Sequence, residues 1–111
     1  MTHQENKTRT IGVMWCRLPK HERLRLNIYS APWCPSCVKI EPYIHELIGE
    51  GVIVHMCFEE KRKEDLPQGF KIPTFSLVDD LTSTVRKEVQ TSNKEEILAF
   101  ITGIKEEDEL M

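Results

Sequence analysis

Leu24, Leu26 and Ile28 alternate with Arg25, Asn27 and Tyr29, the period of two that sends successive side chains to opposite faces of a sheet. This predicts a strand. Upstream, Ile11, Val13 and Trp15 alternate more briefly around Gly12 and stop at Pro19, which predicts one short extra strand at most. After Pro35 the spacing changes, and Cys37, Ile40, Ile44, Leu47 and Ile48 fall on one helical face, with Lys39, Glu46 and Glu50 elsewhere. Gly49 and Gly51 let the chain turn out of this helix. Residues 52–58 are short and almost wholly apolar, the pattern of a strand covered on both faces in a parallel sheet. Strand, helix and strand together predict a right-handed crossover unit.

A charged link over 59–65, with room for a short helix, leads to Ile72-Pro73. Residues 74–78 and 84–90 read as two strands around Asp79-Asp80, close enough for an antiparallel hairpin, so the expected sheet is mixed. Ser92-Asn93-Lys94-Glu95 has the form of a capping box, Ser92 and Glu95 being its reciprocal pair, before the apolar positions Ile97, Leu98 and Ile101. The closing helix is expected to end near Gly103, and the acidic stretch 105–111 to be a solvated end. Residues 1–9 are polar and unpatterned, as in a fraying terminus. The expected organisation is an N-terminal extension over 1–22, a main domain over 23–104 and a tail over 105–111.

The chain has 111 residues, 40% hydrophobic and 30% charged, which fits one soluble domain with a modest core. A net charge of -3 gives no attraction to phosphate backbones, so nucleic acid is not an expected partner. Apolar runs such as Val52-Ile53-Val54 are too short to cross a bilayer, and nothing near Met1 resembles a secretion signal. The expected location is the cytoplasm, without membrane association.

Four cysteines, Cys16, Cys34, Cys37 and Cys57, are too few and too unevenly spaced for a secreted disulfide scaffold. Trp33-Cys34-Pro35-Ser36-Cys37 sits where the first clear strand hands over to the helix. At a helix start, unpaired backbone N–H groups and the positive end of the dipole favour a thiolate, so Cys34 is the expected nucleophile. Pro35 suits the first turn, where its missing N–H costs nothing. Cys37 returns to the same side one turn later, within reach of Cys34 for a disulfide. The expected chemistry is thiol–disulfide exchange, with Cys37 resolving the mixed disulfide. The alternative for such a pair is half of a zinc site, for which Cys16, His45, His55 and Cys57 are available without forming a second close pair; neither metal nor tightly bound cofactor is expected. Cys57 and Cys16 read as small buried hydrophobes.

Over about residues 23–104 the chain resembles the thioredoxin/glutaredoxin superfamily. The resemblance rests on Trp33 before Cys34, on Pro42 eight residues after it within the helix, and on Ile72-Pro73-Thr74, which is similar to the loop carrying the family's cis-proline. It implies an α/β thioredoxin-like fold, a central mixed sheet of about four strands flanked by helices. It also implies a substrate groove in which the Ile72 backbone pairs with a partner segment, with Trp33, Pro35 and Pro73 beside Cys34. Taken alone, Ile72-Pro73 also reads as an ordinary strand start.

Pro35-Ser36 and Ile28-Tyr29-Ser30 resemble glutaredoxins more than thioredoxins, and Ile28 replaces the buried acidic residue typical of thioredoxins. His55 on the adjacent expected strand is a candidate substitute base or a structural histidine. The lysine of glutaredoxins is replaced by Ala31, and their Gly-Gly-x-x-Asp-like turn by Val89-Gln90-Thr91-Ser92-Asn93, which removes the obvious partners of glutathione's carboxylates. The expectation is a monomeric protein-disulfide reductase acting on disulfide-containing proteins, with electrons from a thioredoxin reductase or glutathione system. A glutathione-dependent glutaredoxin and a binding module whose cysteines hold a metal or a structural disulfide are the alternatives.

Overall fold

The structure, a computed structural model, describes residues 10–19 and 23–110. The expected fraying of residues 1–9 and the last residue of the tail lie outside these. The chain forms β1 (Thr10–Arg17), β2 (Leu24–Ser30), α1 (Pro35–Gly49), β3 (Val54–Arg62), a 3-10 turn at Lys63–Asp65, β4 (Thr74–Asp79), β5 (Thr84–Gln90) and α2 (Lys94–Leu110). The strands make one sheet in the order β3-β1-β2-β4-β5.

Every neighbouring pair in this sheet is antiparallel. The expected thioredoxin-like fold, with a mixed sheet of about four strands flanked by helices, is therefore corrected to a five-stranded antiparallel sheet with two helices. The cause is β1. It lies between β2 and β3, antiparallel to both, so that β2 and β3 run the same way without touching. The strand–helix–strand unit is present in sequence order, but its two strands are not hydrogen-bonded neighbours.

Residue chemistry explains the arrangement. Ile11, Gly12, Val13 and Cys16 of β1 are all buried, so β1 carries buried groups on both faces and suits an inner position. Glu59, Glu60, Lys61 and Arg62 make the second half of β3 charged, as is common on sheet edges, where charge discourages pairing with other chains. The expectation that residues 52–58 are covered on both faces is accordingly wrong. Ile53 is fully buried just before the strand, whereas Val54, Met56 and Phe58 are exposed by 37%, 54% and 56%. The β1–β3 register shifts between Trp15 and Cys16, where Cys57 and then His55 are the partners, leaving Met56 as the extra residue of a bulge.

Both helices cover one face. Ile40, Ile44 and Leu47 of α1 and Ile97 and Ile101 of α2 join Leu24, Leu26, Ile28, Phe75 and Leu77 in a single cluster. Cys37 is also buried on α1, which puts it on the helix's inner side as the spacing predicts. Gly51, with φ of +77°, carries the chain out of α1, and the N–H groups of Val52 and Ile53 donate to Leu47 O at 2.9 and 3.4 Å.

The hairpin of β4 and β5 forms as expected. Asp79 fixes its turn by accepting from the N–H groups of Leu81 and Thr82 at 2.9 and 3.4 Å, while Arg23 reaches its other oxygen at 3.2 Å. Burial acts to raise the Asp79 carboxyl, but these N–H groups and the guanidinium outweigh it and hold it below the usual carboxylate range. At α2 the expected cap is displaced by one residue. Asn93, not Ser92, caps the helix, its Oδ1 accepting from Glu96 N–H at 3.0 Å. The helix also runs past Gly103 to Leu110. No helix among the described residues is long and apolar enough to cross a membrane.

Candidate redox site

Cys34 is the N-cap of α1. Its φ of -99° and ψ of 113° keep it extended, and its N–H donates to Ala31 O at 3.2 Å. Pro35 opens the first turn, and the N–H of Cys37 donates to Cys34 Sγ at 3.4 Å. A cap of this kind places a sulfur where a helix leaves backbone donors unpaired. Neither thiol is in a disulfide. Cys34 retains 8% exposure and Cys37 4%.

Burial first, then the hydrogen bond and charge of Cys34, push the Cys37 thiol up to about 12, against a backbone hydrogen bond from Ala31 that pulls it down. At neutral pH Cys37 is a protonated, protected thiol. That property fits a resolving residue better than an attacking one.

The loop before β4 closes over the pair. Ile72-Pro73 is a cis peptide, and Cys34 Sγ lies 3.9 Å from Ile72 O, which accepts from the thiol. Trp33 and Ile72 pack against the cluster of Ala31, Cys34 and Cys37. The indole N–H of Trp33 donates to Thr10 O at 2.9 Å, which ties the site to β1. Cys34, Cys37, Trp33 and Ile72 are thus brought together. Pro35 is exposed at the start of α1, and Pro73 is buried.

The other sulfur and imidazole candidates lie elsewhere. Cys57 is exposed on β3, contrary to its expected burial, while Cys16 is fully buried in β1 as expected. Burial first, then the nearby Cys57, push Cys16 up to about 12. His55 is exposed on β3 and separated from β2 by β1, so it is not on the strand adjacent to the one that leads into Cys34. His45 is exposed on α1, 3.7 Å from Glu41. Among the described residues no group of three or more His, Cys, Asp or Glu side chains is placed to hold a metal ion.

Two contributors are not legible from the motif. Thr10 supplies the carbonyl that holds Trp33, and Lys63 places its ammonium 5.7 Å from the centre of the Trp33 ring. Only the basic run Lys61-Arg62-Lys63 hints at the second, and nothing in the sequence signals the first. Lys63 also lines a cavity of about 680 Å³ formed by the loop 63–70.

These features define a buried pair of reduced cysteines at a helix start, faced by a cis-proline loop. Comparison of the chain with protein-family models, with curated proteins and with solved structures finds no match.

Proposed function

We propose that the protein is a thiol–disulfide oxidoreductase that reduces protein disulfides through Cys34 and Cys37. The reading rests above all on the position of Cys34 Sγ, which accepts the Cys37 N–H at 3.4 Å at the start of α1 with the Ile72 carbonyl 3.9 Å away.

In the first step the Cys34 thiolate attacks one sulfur of a partner disulfide. The partner's S–S bond breaks, a Cys34–partner disulfide forms, and the released thiolate takes up a proton. Cys37 then loses its proton and attacks Cys34, closing the Cys34–Cys37 disulfide and releasing the second partner thiol. Two electrons pass from the dithiol to the partner. Engaging Cys34 in the mixed disulfide removes the hydrogen bond and the charge with which Cys34 raises Cys37, so the resolver becomes more acidic when it is needed. The resulting disulfide needs a reductant, either a thioredoxin reductase or glutathione, and the proposed setting is the cytoplasm.

The test is reduction of insulin disulfides by the full chain. Cys34→Ser should abolish it, and Cys37→Ser should accumulate a mixed disulfide visible by mass spectrometry. Reduction by Cys34→Ser at the wild-type rate would refute the assignment. Running the reaction with each donor in turn identifies the electron source.

A further inference from the structure

We propose that the cavity under the loop 63–70 holds the polypeptide that flanks the partner's cystine, and that it selects an acidic segment carrying an apolar side chain. This rests on the dithiol reading above.

The first ground is continuity. Trp33 packs against the cluster of Ala31, Cys34 and Cys37, Lys63 lies over the Trp33 ring at 5.7 Å, and Lys63 also lines the cavity. The recess of about 680 Å³ is thereby joined to the dithiol through the side chains of Lys63 and Trp33. The recess is partly apolar, with Leu66, Pro67 and Phe70 in its wall. The rings of Phe70 and Tyr29 meet edge-on with their centres 5.1 Å apart.

The second ground is charge. Residues 61–71 contain four basic and two acidic side chains, a local net of +2 on a chain whose net charge is -3. Both acidic groups, Glu64 and Asp65, are engaged by Arg62 at 3.8 and 3.5 Å. Lys63 and Lys71 pair with no carboxylate among the described residues. The Lys63 ammonium, on a residue that lines the cavity, is thus available to a carboxylate of the partner. Its exposure leaves it open to a partner anion arriving from solvent.

The experiment uses three disulfide-cyclised peptides of equal length, whose cystine is flanked by Glu-Leu, Gln-Leu or Lys-Leu, reduced in single turnover by the pre-reduced full chain. The Glu peptide should half-saturate at the lowest protein concentration. Lys63→Gln should raise that concentration by about threefold, the scale of one exposed charge pair, with Lys63→Arg restoring it. The change should fall on half-saturation rather than on the limiting rate, and the preference should vanish near about 0.5 M salt, where exposed charges are screened. Equal half-saturation for the three peptides, or no effect of Lys63→Gln, overturns the cavity assignment while leaving the dithiol chemistry intact. If no peptide is reduced, the dithiol reading fails. Tryptophan fluorescence of the Cys34→Ser chain with the same peptides then decides the cavity separately, Lys63-dependent binding of the Glu peptide supporting it and equal binding overturning it.

Discussion

Alkylation of the reduced, native chain separates Cys16, Cys37 and Cys57 by environment. Burial and the neighbouring Cys34 move Cys37 from an ordinary 9.0 to about 12. At pH 7 that displacement lowers the thiolate fraction by about a thousandfold, since each pH unit is a factor of ten. Cys16 undergoes the same displacement, from 9.0 to about 12, for burial and for Cys57. Only the thiolate reacts with iodoacetamide at a useful rate. Short treatment at pH 7, followed by unfolding, a second isotopically distinct label and peptide mass spectrometry, should find Cys57 carrying the first label. Cys16 and Cys37 should carry the second.

The protection of Cys37 should be about a thousandfold relative to the urea-unfolded chain from ionisation alone, and greater once its 4% exposure limits access. Cys34→Ser should weaken that protection by removing the charge of Cys34, but should not abolish it, because burial is the largest cause. Native Cys37 reacting within tenfold of its unfolded rate would refute the reasoning. The linked stability has a defined sign. A native thiol raised above its unfolded value keeps its full contribution below about pH 9, and loses it as pH rises from there towards 12.

Asn93→Ala should destabilise the chain by about 1 kcal/mol in urea titration, the usual worth of a helix cap, whereas Ser92→Ala should change little. A methyl on Gly12 would stand 2.6 Å from Phe58 Cε2. Gly12→Ala should therefore cost stability in the wild type and much less in a Phe58→Ala background, and a coupling near zero between the two would show that the ring moves aside freely. Asp79 is held below the usual carboxylate range, so the stability it contributes is present above about pH 4 and is lost as the pH falls through its native value. Asp79→Asn should flatten the acid limb of a stability–pH profile.

For β2 and α1 the sequence by itself determined which residues face inward. The alternation of Leu24, Leu26 and Ile28 and the helical spacing of Cys37, Ile40, Ile44 and Leu47 follow from local backbone geometry, and all seven are buried in the folded chain. It also determined the start of α1 with Cys34 at its cap, because Pro35 and the change of period act within one turn. Only the tertiary structure decided which strands are neighbours. Periodicity states which face a side chain takes and is silent on what pairs along the strand edge, so β1 could enter between β2 and β3 and make the whole sheet antiparallel. The exposure of Cys57, the removal of His55 from the strand beside β2 and the approach of Ile72 and Lys63 to the Cys34 region follow from that same long-range pairing and from loop closure. An apolar run such as 52–58 looks the same whether it is enclosed or left at an edge. The difference lies in contacts made by residues far away in the chain.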